Sequence, residues 1–397
     1  MVEGAREAWI TGIGVVSCLG EGPQAHWRGL TEQKPTADAR TFAPNVVHPL
    51  APISFEKQIP KKGDLRQMEP WQRIGVYAAG LALDNAGLKS EADILARMDM
   101  VVAAAGGERD LAVDEAILNG IRHANDRGAY LNERLLNDLR PTLFLAQLSN
   151  LLAGNISIVH GVTGSSRTFM GEEAAGVDAV RISLMRVLAG QSEVVLVGGA
   201  CNAERKDHLL LYEFGGCNLK GEHRPVWDRA AGGVAHGSLG AFLVIEERRH
   251  AQARGAAPLA KLSVALSDLS RREEGAIAAS LDRMWTKIAP LIEAERCAIL
   301  SGASGAEPAT REERAFLQAR RALPVRAAAT HIGHAFEAQF PMNVALAALA
   351  ISRGRLFPPA DPTGFESGMQ GELRQAIVTG VGHWRGEGLA LVEAVET

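Results

Sequence analysis

The sequence lacks a surplus of charge of either sign: 46 Asp and Glu against 42 Lys and Arg leave a net −4. That balance excludes the strongly basic field a nucleic-acid binder needs. Long hydrophobic runs are missing too, none approaching the roughly 18 residues of a membrane span. The opening MVEGAREAWITGIGVV has no basic stretch leading into an apolar run and a cleavage site, so the expected location is the cytoplasm with no membrane partner. Cysteine is scarce. Cys18, Cys201, Cys217 and Cys297 are scattered, without paired metal-ligand spacing or the density of a disulfide scaffold. They are expected to be reduced thiols in or near the core, with no catalytic role. No ligand cluster or phosphate fingerprint stands out, so neither metal nor organic cofactor is expected. Short-period repeats and low-complexity tracts are absent.

What remains is a chain of 397 residues, 47% of them apolar, enough for one large core or two similar lobes. Short runs of Val, Ile and Ala alternate with longer amphipathic stretches, the pattern of an α/β protein. Strands are expected at 9–16, 98–105, 193–198 and 241–246, and a helix at 74–86 stopped by Gly87. A helix at 176–189 feeds the strand at 193–198. The polar run 247–255 is the best boundary between an N-terminal half, 1–250, and a C-terminal half, 251–397. The second half repeats the style of the first, with strands at 260–266, 298–300 and 389–392 and helices at 274–292 and 341–351.

Six segments in order carry a resemblance across essentially the whole chain. They are WITGIGVVSCLG at 9–20, LLAGNISIVHGVTG at 151–164, EVVLVGGACNA at 193–203, PVWDRAAGGVAHGSLGAFLVIEE at 225–247, HIGHAFEA at 331–338 and TGVGHWRGEG at 379–388. Each alone is a glycine turn beside an apolar strand. Together they resemble the β-ketoacyl-acyl-carrier-protein synthases, the condensing enzymes of fatty-acid and polyketide synthesis. The resemblance implies the five-layered αβαβα thiolase fold with two pseudo-symmetric halves, and a dimer made by pairing strands across a two-fold axis.

Such enzymes carry the acyl group on a cysteine thiolate at a helix start, where the helix dipole lowers its pKa. A gapless count from His160, Gly161 and Gly164 to Gly176 places Glu173 at that position, with Glu172 as the alternative if the register slips by one. An acyl carboxyl intermediate would be a mixed anhydride, high in energy and readily hydrolysed. Condensation from this position is therefore not expected. As a plain side chain, Glu173 is an acid at a helix N-terminus, favourable by about 0.3–1 kcal/mol. The first family histidine falls on Ser301, the second on His334, and the family lysine on Ala329. Three of the four catalytic positions have thus lost the side chain the chemistry needs. His334 is kept, and a hydrogen bond or ion pair between it and Glu173 is one of two open outcomes.

Glu313 matches a family acid if one residue is inserted near 307–310, but as a bare side chain it is expected on a solvated helix face. His331 and His236 are expected to be turn or interface residues. Where relatives carry a gatekeeping phenylalanine, this chain has Gly380, Val381, Gly382, His383 and Trp384. Val381, His383 and Trp384 are therefore the gate candidates. Trp384 and Arg385 either plug the former entrance or pack on the surface. The resemblance makes Ser165, Ser166, Arg167, Thr168 and Phe169 the dimer strand. It also places Phe144 and Leu148, within 143–152, in the wall of an acyl tunnel; the alternative is that this apolar run fills the chain's own core.

Relatives that lose the cysteine and histidines are the chain-length factors of type II polyketide and aryl-polyene systems. The resemblance thus implies a subunit that pairs with an active ketosynthase, meets acyl carrier protein and shapes the acyl tunnel. Homodimer and heterodimer both stay open. Two other readings remain: a stand-alone malonyl-carrier-protein decarboxylase or other acyl-processing enzyme using Glu173 and His334, and a scaffold that binds acyl carrier protein.

Overall fold

The computed structural model describes residues 6–34, 36–141 and 143–396, without the side chains of Leu145 and Ala146. Up to Glu247 the strands are β1 (Ala8–Ser17), β2 (Gly20–Glu21), β3 (Val47–His48), β4 (Asp99–Ala103), β5 (Ser166–Phe169), β6 (Val194–Cys201), β7 (His236–Gly237) and β8 (Leu239–Glu247). Beyond it come β9 (Ala260–Asp268), β10 (Cys297–Ser301), β11 (Val325–Ala327), β12 (Gln375–Val381) and β13 (Glu387–Glu393).

The long strands form two five-strand sets that repeat one topology. The first runs β5-β4-β6-β8-β1, the second β11-β10-β12-β13-β9. In each set the first two pairings are parallel and the last two antiparallel. The sets meet where Trp9 and Ile10 pair with Lys261 and Ala260. Helices Pro70–Asn85 and Leu151–His160 cover one outer face; Ala276–Ile288 and Ala309–Gln318 cover the other. Between the sets lie helices Glu173–Leu188 and Gln339–Ser352, each touching strands of both. This is the αβαβα thiolase arrangement with two pseudo-symmetric halves. Among the described residues no helix is long and apolar enough to cross a membrane.

Local chemistry explains where the elements start. Helix Pro70–Asn85 begins before the expected residue 74 because Pro70 sits in its first turn and Glu69 and Gln72 form a reciprocal capping box. Helix Ala276–Ile288 is shorter than expected, since Gly275 is left-handed at its start and Pro290 lies in the 3-10 turn that follows. The polar run after β8 is no open linker. Glu247 accepts hydrogen bonds from the backbone N–H of Arg249 and His250 and starts the short helix Arg248–Ala253. All four cysteines are free, with Cys18, Cys201 and Cys297 buried and Cys217 half-buried, as their scatter suggested.

One buried carboxylate ties the β1–β8 pair to that short helix. Glu246 accepts from Thr11 Oγ1 at 2.8 Å and, from Arg254, Nε at 2.6 Å and Nη2 at 2.7 Å. Burial would raise its carboxyl, but Arg254 and Thr11 hold it below the usual range. A charge buried this way is strongly destabilising once its partner is removed. Arg254→Met should therefore cost about 3 kcal/mol in urea unfolding at pH 7. The difference from wild type should narrow as pH falls below 4.5, the ordinary value for this carboxyl, because protonation removes the charge that Arg254 serves. An unchanged midpoint would show that the pair contributes nothing.

Candidate functional site

Where β5 ends, the chain turns sharply into the central helix Glu173–Leu188. Gly171 has φ 131° and Glu172 φ 57°, ψ −137°, a left-handed conformation that a glutamate adopts only under constraint. The turn drives Glu173 inward to 3% exposure at the helix N-terminus. There His334 Nε2 lies 3.0 Å from its Oε1, so of the two open outcomes the hydrogen bond is the one realised. A second histidine joins: His383 Nδ1 is 3.3 Å from Oε1 and 3.4 Å from Oε2. Burial opposes ionisation of Glu173, but these two histidines, by hydrogen bonding and charge, hold its carboxyl far below the usual range. Burial likewise opposes a charged His383, yet Glu173 and then Glu172 raise its pKa above the ordinary value. The pair is a buried carboxylate and an imidazole whose charged form it favours.

The adjacent acid does something else. Glu172 is half-buried and borders a cavity of about 550 Å³, whose inner wall includes Glu337, Tyr212 and His208 and whose outer wall includes Trp384 and Arg385. Its backbone N–H donates to Glu337 Oε1 at 3.1 Å, and Tyr212 Oη donates to its carboxylate at 3.4 Å. Burial raises the Glu172 carboxyl. Burial, together with the charges of Glu173 and Glu172, pushes Glu337 up to about 7. Phe336, at φ 45°, stacks on Tyr212 with centroids 4.3 Å apart and meets the His334 ring edge-on at 5.0 Å. Gly176 lets this loop approach, since a Cβ there would sit 2.4 Å from the Glu337 carbonyl oxygen. Glu172, Glu173 and His383 each bring one ligand atom within 4.8 Å of the others, a grouping with the donors for a cation. The two histidines already engage the Glu173 carboxylate.

The other sequence candidates fall in several places. Ser301 ends β10 and donates through Oγ to Glu313 Oε1 at 2.7 Å; no contact with Glu173 appears among the described residues. Glu313 is not on a solvated helix face. It is fully buried, because helix Ala309–Gln318 turns Glu312, Glu313, Phe316 and Leu317 inward. Ala329 is buried at the start of the short helix Ala329–Ile332. Val381 does not stand at a gate: as the last residue of β12 it packs with Ile299, Ile377 and Leu389 in the core of the second set. His383 is the member of that loop that reaches Glu173. Trp384 is 56% exposed and lines the cavity with Arg385, so neither plugs it shut.

His331 and His236 are both buried, His331 in the short helix Ala329–Ile332 and His236 in β7. His236 Nε2 lies 2.8 Å from Asn218 Oδ1 and its Nδ1 3.1 Å from His208 Nε2. Of the apolar run, Leu143 and Leu152 fill the chain's own core, whereas Phe144 is 71% and Leu148 38% exposed. The side chain of Leu145 lies outside the described residues. Along the strand, Ser165, Ser166 and Arg167 are exposed, and Thr168 and Phe169 half-buried.

Sequence reasoning did not assign roles to His208, Tyr212, Phe336 and Glu337. The last two lie inside HIGHAFEA, where an acid and an aromatic after His334 were a usable signal. Tyr212 in LLLYEF and His208 carried none, because only the tertiary fold brings their helix over the Glu173 turn.

Two outcomes follow from this chemistry. Glu173→Ala should lose roughly 3 kcal/mol, since two buried histidines lose their shared acceptor. The depressed Glu173 contributes above 4.5, and the raised His383 contributes fully below 6.5 and fades as pH climbs through its folded value. The loss should therefore be largest between those pH values in denaturant titrations; a flat pH dependence would break the ion-pair assignment. Glu313 has the opposite sign. Burial raises its carboxyl, so wild-type stability falls as pH rises above 4.5, the value of an unperturbed glutamate. Glu313→Gln should become progressively more stable than wild type from that pH toward neutrality, and a Gln variant less stable at pH 7 would overturn the reading.

Residues 5–251 match the family model of the β-ketoacyl synthase N-terminal domain. A 3-oxoacyl-[acyl-carrier-protein] synthase 2 of Vibrio harveyi is 25% identical over 271 residues, covering 65% of this chain and 61% of that protein's length. The tetracenomycin polyketide synthase ketoacyl synthase beta subunit of Streptomyces glaucescens is 26% identical over 373 residues, covering 89% of this chain and 88% of the relative. The solved ishigamide ketosynthase/chain length factor superposes with a TM-score of 0.79 at 21% identity, over 99% of this chain and 100% of that one. With the family model spanning more than half its length, the chain belongs to the β-ketoacyl synthase family.

Proposed function

We propose that this chain is a chain-length-factor-like subunit, built of two thiolase-like halves that divide at residue 250. It pairs with an active β-ketoacyl-carrier-protein synthase and shapes the tunnel in which the acyl chain grows. One observation carries the reading: the nucleophile position holds a buried carboxylate already bonded to the retained histidine and to His383. That group has no thiolate chemistry to offer, and it occupies the imidazole a condensing enzyme would use on its substrate. The cysteines do not replace it. Burial pushes Cys18 up to about 11 and Cys297 to about 12, so neither is a nucleophile at neutral pH.

The surface supports a partner at β5. Among the described residues this strand pairs only with β4 and is an open sheet edge, the kind of feature a second chain completes. Ser149 Oγ lies 2.9 Å from Met170 Sδ, which brings the segment carrying Phe144 and Leu148 against the end of that strand. Two exposed apolar side chains beside an unpaired edge suit a subunit interface whose outermost residues reach across it. The similarity to a polyketide ketoacyl synthase beta subunit points the same way. The tunnel would then belong to the pair, with acyl carrier protein delivering to the partner's active site.

The purified chain alone should form no β-ketoacyl product from acyl- and malonyl-carrier protein. Co-purified with a ketosynthase whose Cys-His-His set is intact, it should give a stable complex in which Phe144→Ala and Phe144→Trp alter product length without dissociation. Unchanged lengths in both variants would remove Phe144 from the tunnel. Conversion of malonyl- to acetyl-carrier protein by the chain alone, abolished by His334→Ala, would put a decarboxylase in place of the subunit reading.

A further inference from the structure

Two acids line the cavity of about 550 Å³ beside Glu173, and among the described residues neither accepts a hydrogen bond from a cation. Glu337 is 5% exposed and belongs to the inner wall. Its Oε1 accepts the Glu172 backbone N–H at 3.1 Å. Its Oε2 accepts no hydrogen bond from another of the described residues, yet it is not one of the sealed, unpartnered polar atoms, so its open side is the cavity. Glu172 is half-buried and loosely engaged. Tyr212 Oη donates to its Oε1 at 3.4 Å, and His383 Nδ1 lies 3.9 Å from its Oε2, too far for a hydrogen bond.

The other charges of the cavity leave one cation over. Arg205 is spent on Asp207, through Nε and Nη2, and on the Gly107 carbonyl. Arg385, on the outer wall, is exposed, and its guanidinium has no hydrogen bond or ion pair among the described residues. A Cβ on Gly171 would lie 3.7 Å from its Nη2, so the guanidinium stands over the turn that carries Glu172. Met170, Leu211 and Trp384, all exposed, add apolar surface to the lining. The cavity thus offers open carboxylate within, apolar side chains along it and a free guanidinium at its mouth.

We propose that this cavity binds a small zwitterionic amino acid, its ammonium donating to Glu337 Oε2 and the Glu172 carboxylate inside and its carboxylate accepting from Arg385 at the mouth. Both ends gain charge-assisted hydrogen bonds, and the planar guanidinium matches a carboxylate at two points. An ammonium also relieves the repulsion that the charges of Glu173 and Glu172 exert on Glu337. The volume lies in the range of about 300–1,000 Å³ typical of small-molecule sites, which admits an alkyl stem packed on Leu211 and Trp384. The site uses no thiolate chemistry and holds whether or not the chain partners a ketosynthase.

Isothermal titration of the full chain at pH 7 and constant ionic strength tests this with 6-aminohexanoate, hexylamine and hexanoate. The amino acid should bind saturably and about tenfold more tightly than hexylamine, which lacks the carboxylate, and hexanoate should not bind. Glu337→Gln should weaken the amino acid about tenfold. Arg385→Ala should bring the amino acid down to the affinity of hexylamine without weakening hexylamine itself. Because Glu337 is buried, its variant is checked for folding; if it fails to fold, Arg385→Ala, at an exposed side chain, decides alone. Absence of saturable amino-acid binding overturns the proposal, as does unchanged affinity in the deciding variant. Hexylamine or hexanoate binding as tightly as the amino acid overturns the ligand class.

Discussion

The centre of the molecule depends on one buried carboxylate finding positive charge. Glu173 sits where two five-strand sets and two central helices converge, and an ionised acid there would cost several kcal/mol if left alone. His334 comes from the loop before helix Gln339–Ser352, and His383 from the loop between β12 and β13. Satisfying one side chain therefore fixes three distant chain segments against one another. The strained backbone at Glu172 and Phe336 is held by the same closure.

A thiolate and a carboxylate make different demands on one turn. A nucleophile must be exposed to substrate and underused by its neighbours, so that its electron pair stays available. Glu173 is the reverse: it is buried, its oxygens are shared between two imidazoles, and the cavity wall next to it is formed by Glu172 instead. The geometry of this turn binds loops together. The acids that do face the cavity, Glu172 and Glu337, are both shifted upward by burial and by the charge of Glu173, to which Glu172 adds at Glu337.

Much of this was legible in the sequence. Strands such as β1 and β8 announce themselves as apolar runs ending in glycine or charge, and the repeat of strand style across the chain anticipated two like halves. The Glu173–His334 contact was reachable because both residues sit in segments whose order resembles a family. His383 as a direct partner was not, since a loop of Gly-Val-Gly-His-Trp does not reveal which side chain turns inward. Val381 looked equivalent by position, yet β12 continues through it and its alternation places it in the core. Glu313 misled for a related reason. In the run REERAF, charge density suggests solvent, but the spacing from Glu312 and Glu313 to Phe316 and Leu317 is also that of an inward helical stripe.

Glu313 is a second buried acid, held without a cation. With Ser301 and Ala329 where the resemblance expects histidine and lysine, no cation bonds Glu313 among the described residues. Its Oε1 instead accepts from Ser301 and Thr379, and its Oε2 has no partner among the described residues. Burial then favours the protonated acid. Around it the backbone stays pinned by neutral polar groups: Asn343 Nδ2 donates to the Ser301 carbonyl at 3.1 Å, Gln339 donates to Asn343, and the Gln339 carbonyl oxygen accepts from Ala335 N–H beside His334. The loop bearing His334 is therefore fixed from two sides, by the Glu173 carboxylate at His334 Nε2 and by this ladder of neutral amide hydrogen bonds. The His383 loop is likewise held twice, by its side chain on Glu173 and by Arg272, whose guanidinium donates to the carbonyls of Gly382 at 2.5 Å and His383 at 3.4 Å while pairing with Glu387 at 2.6 Å.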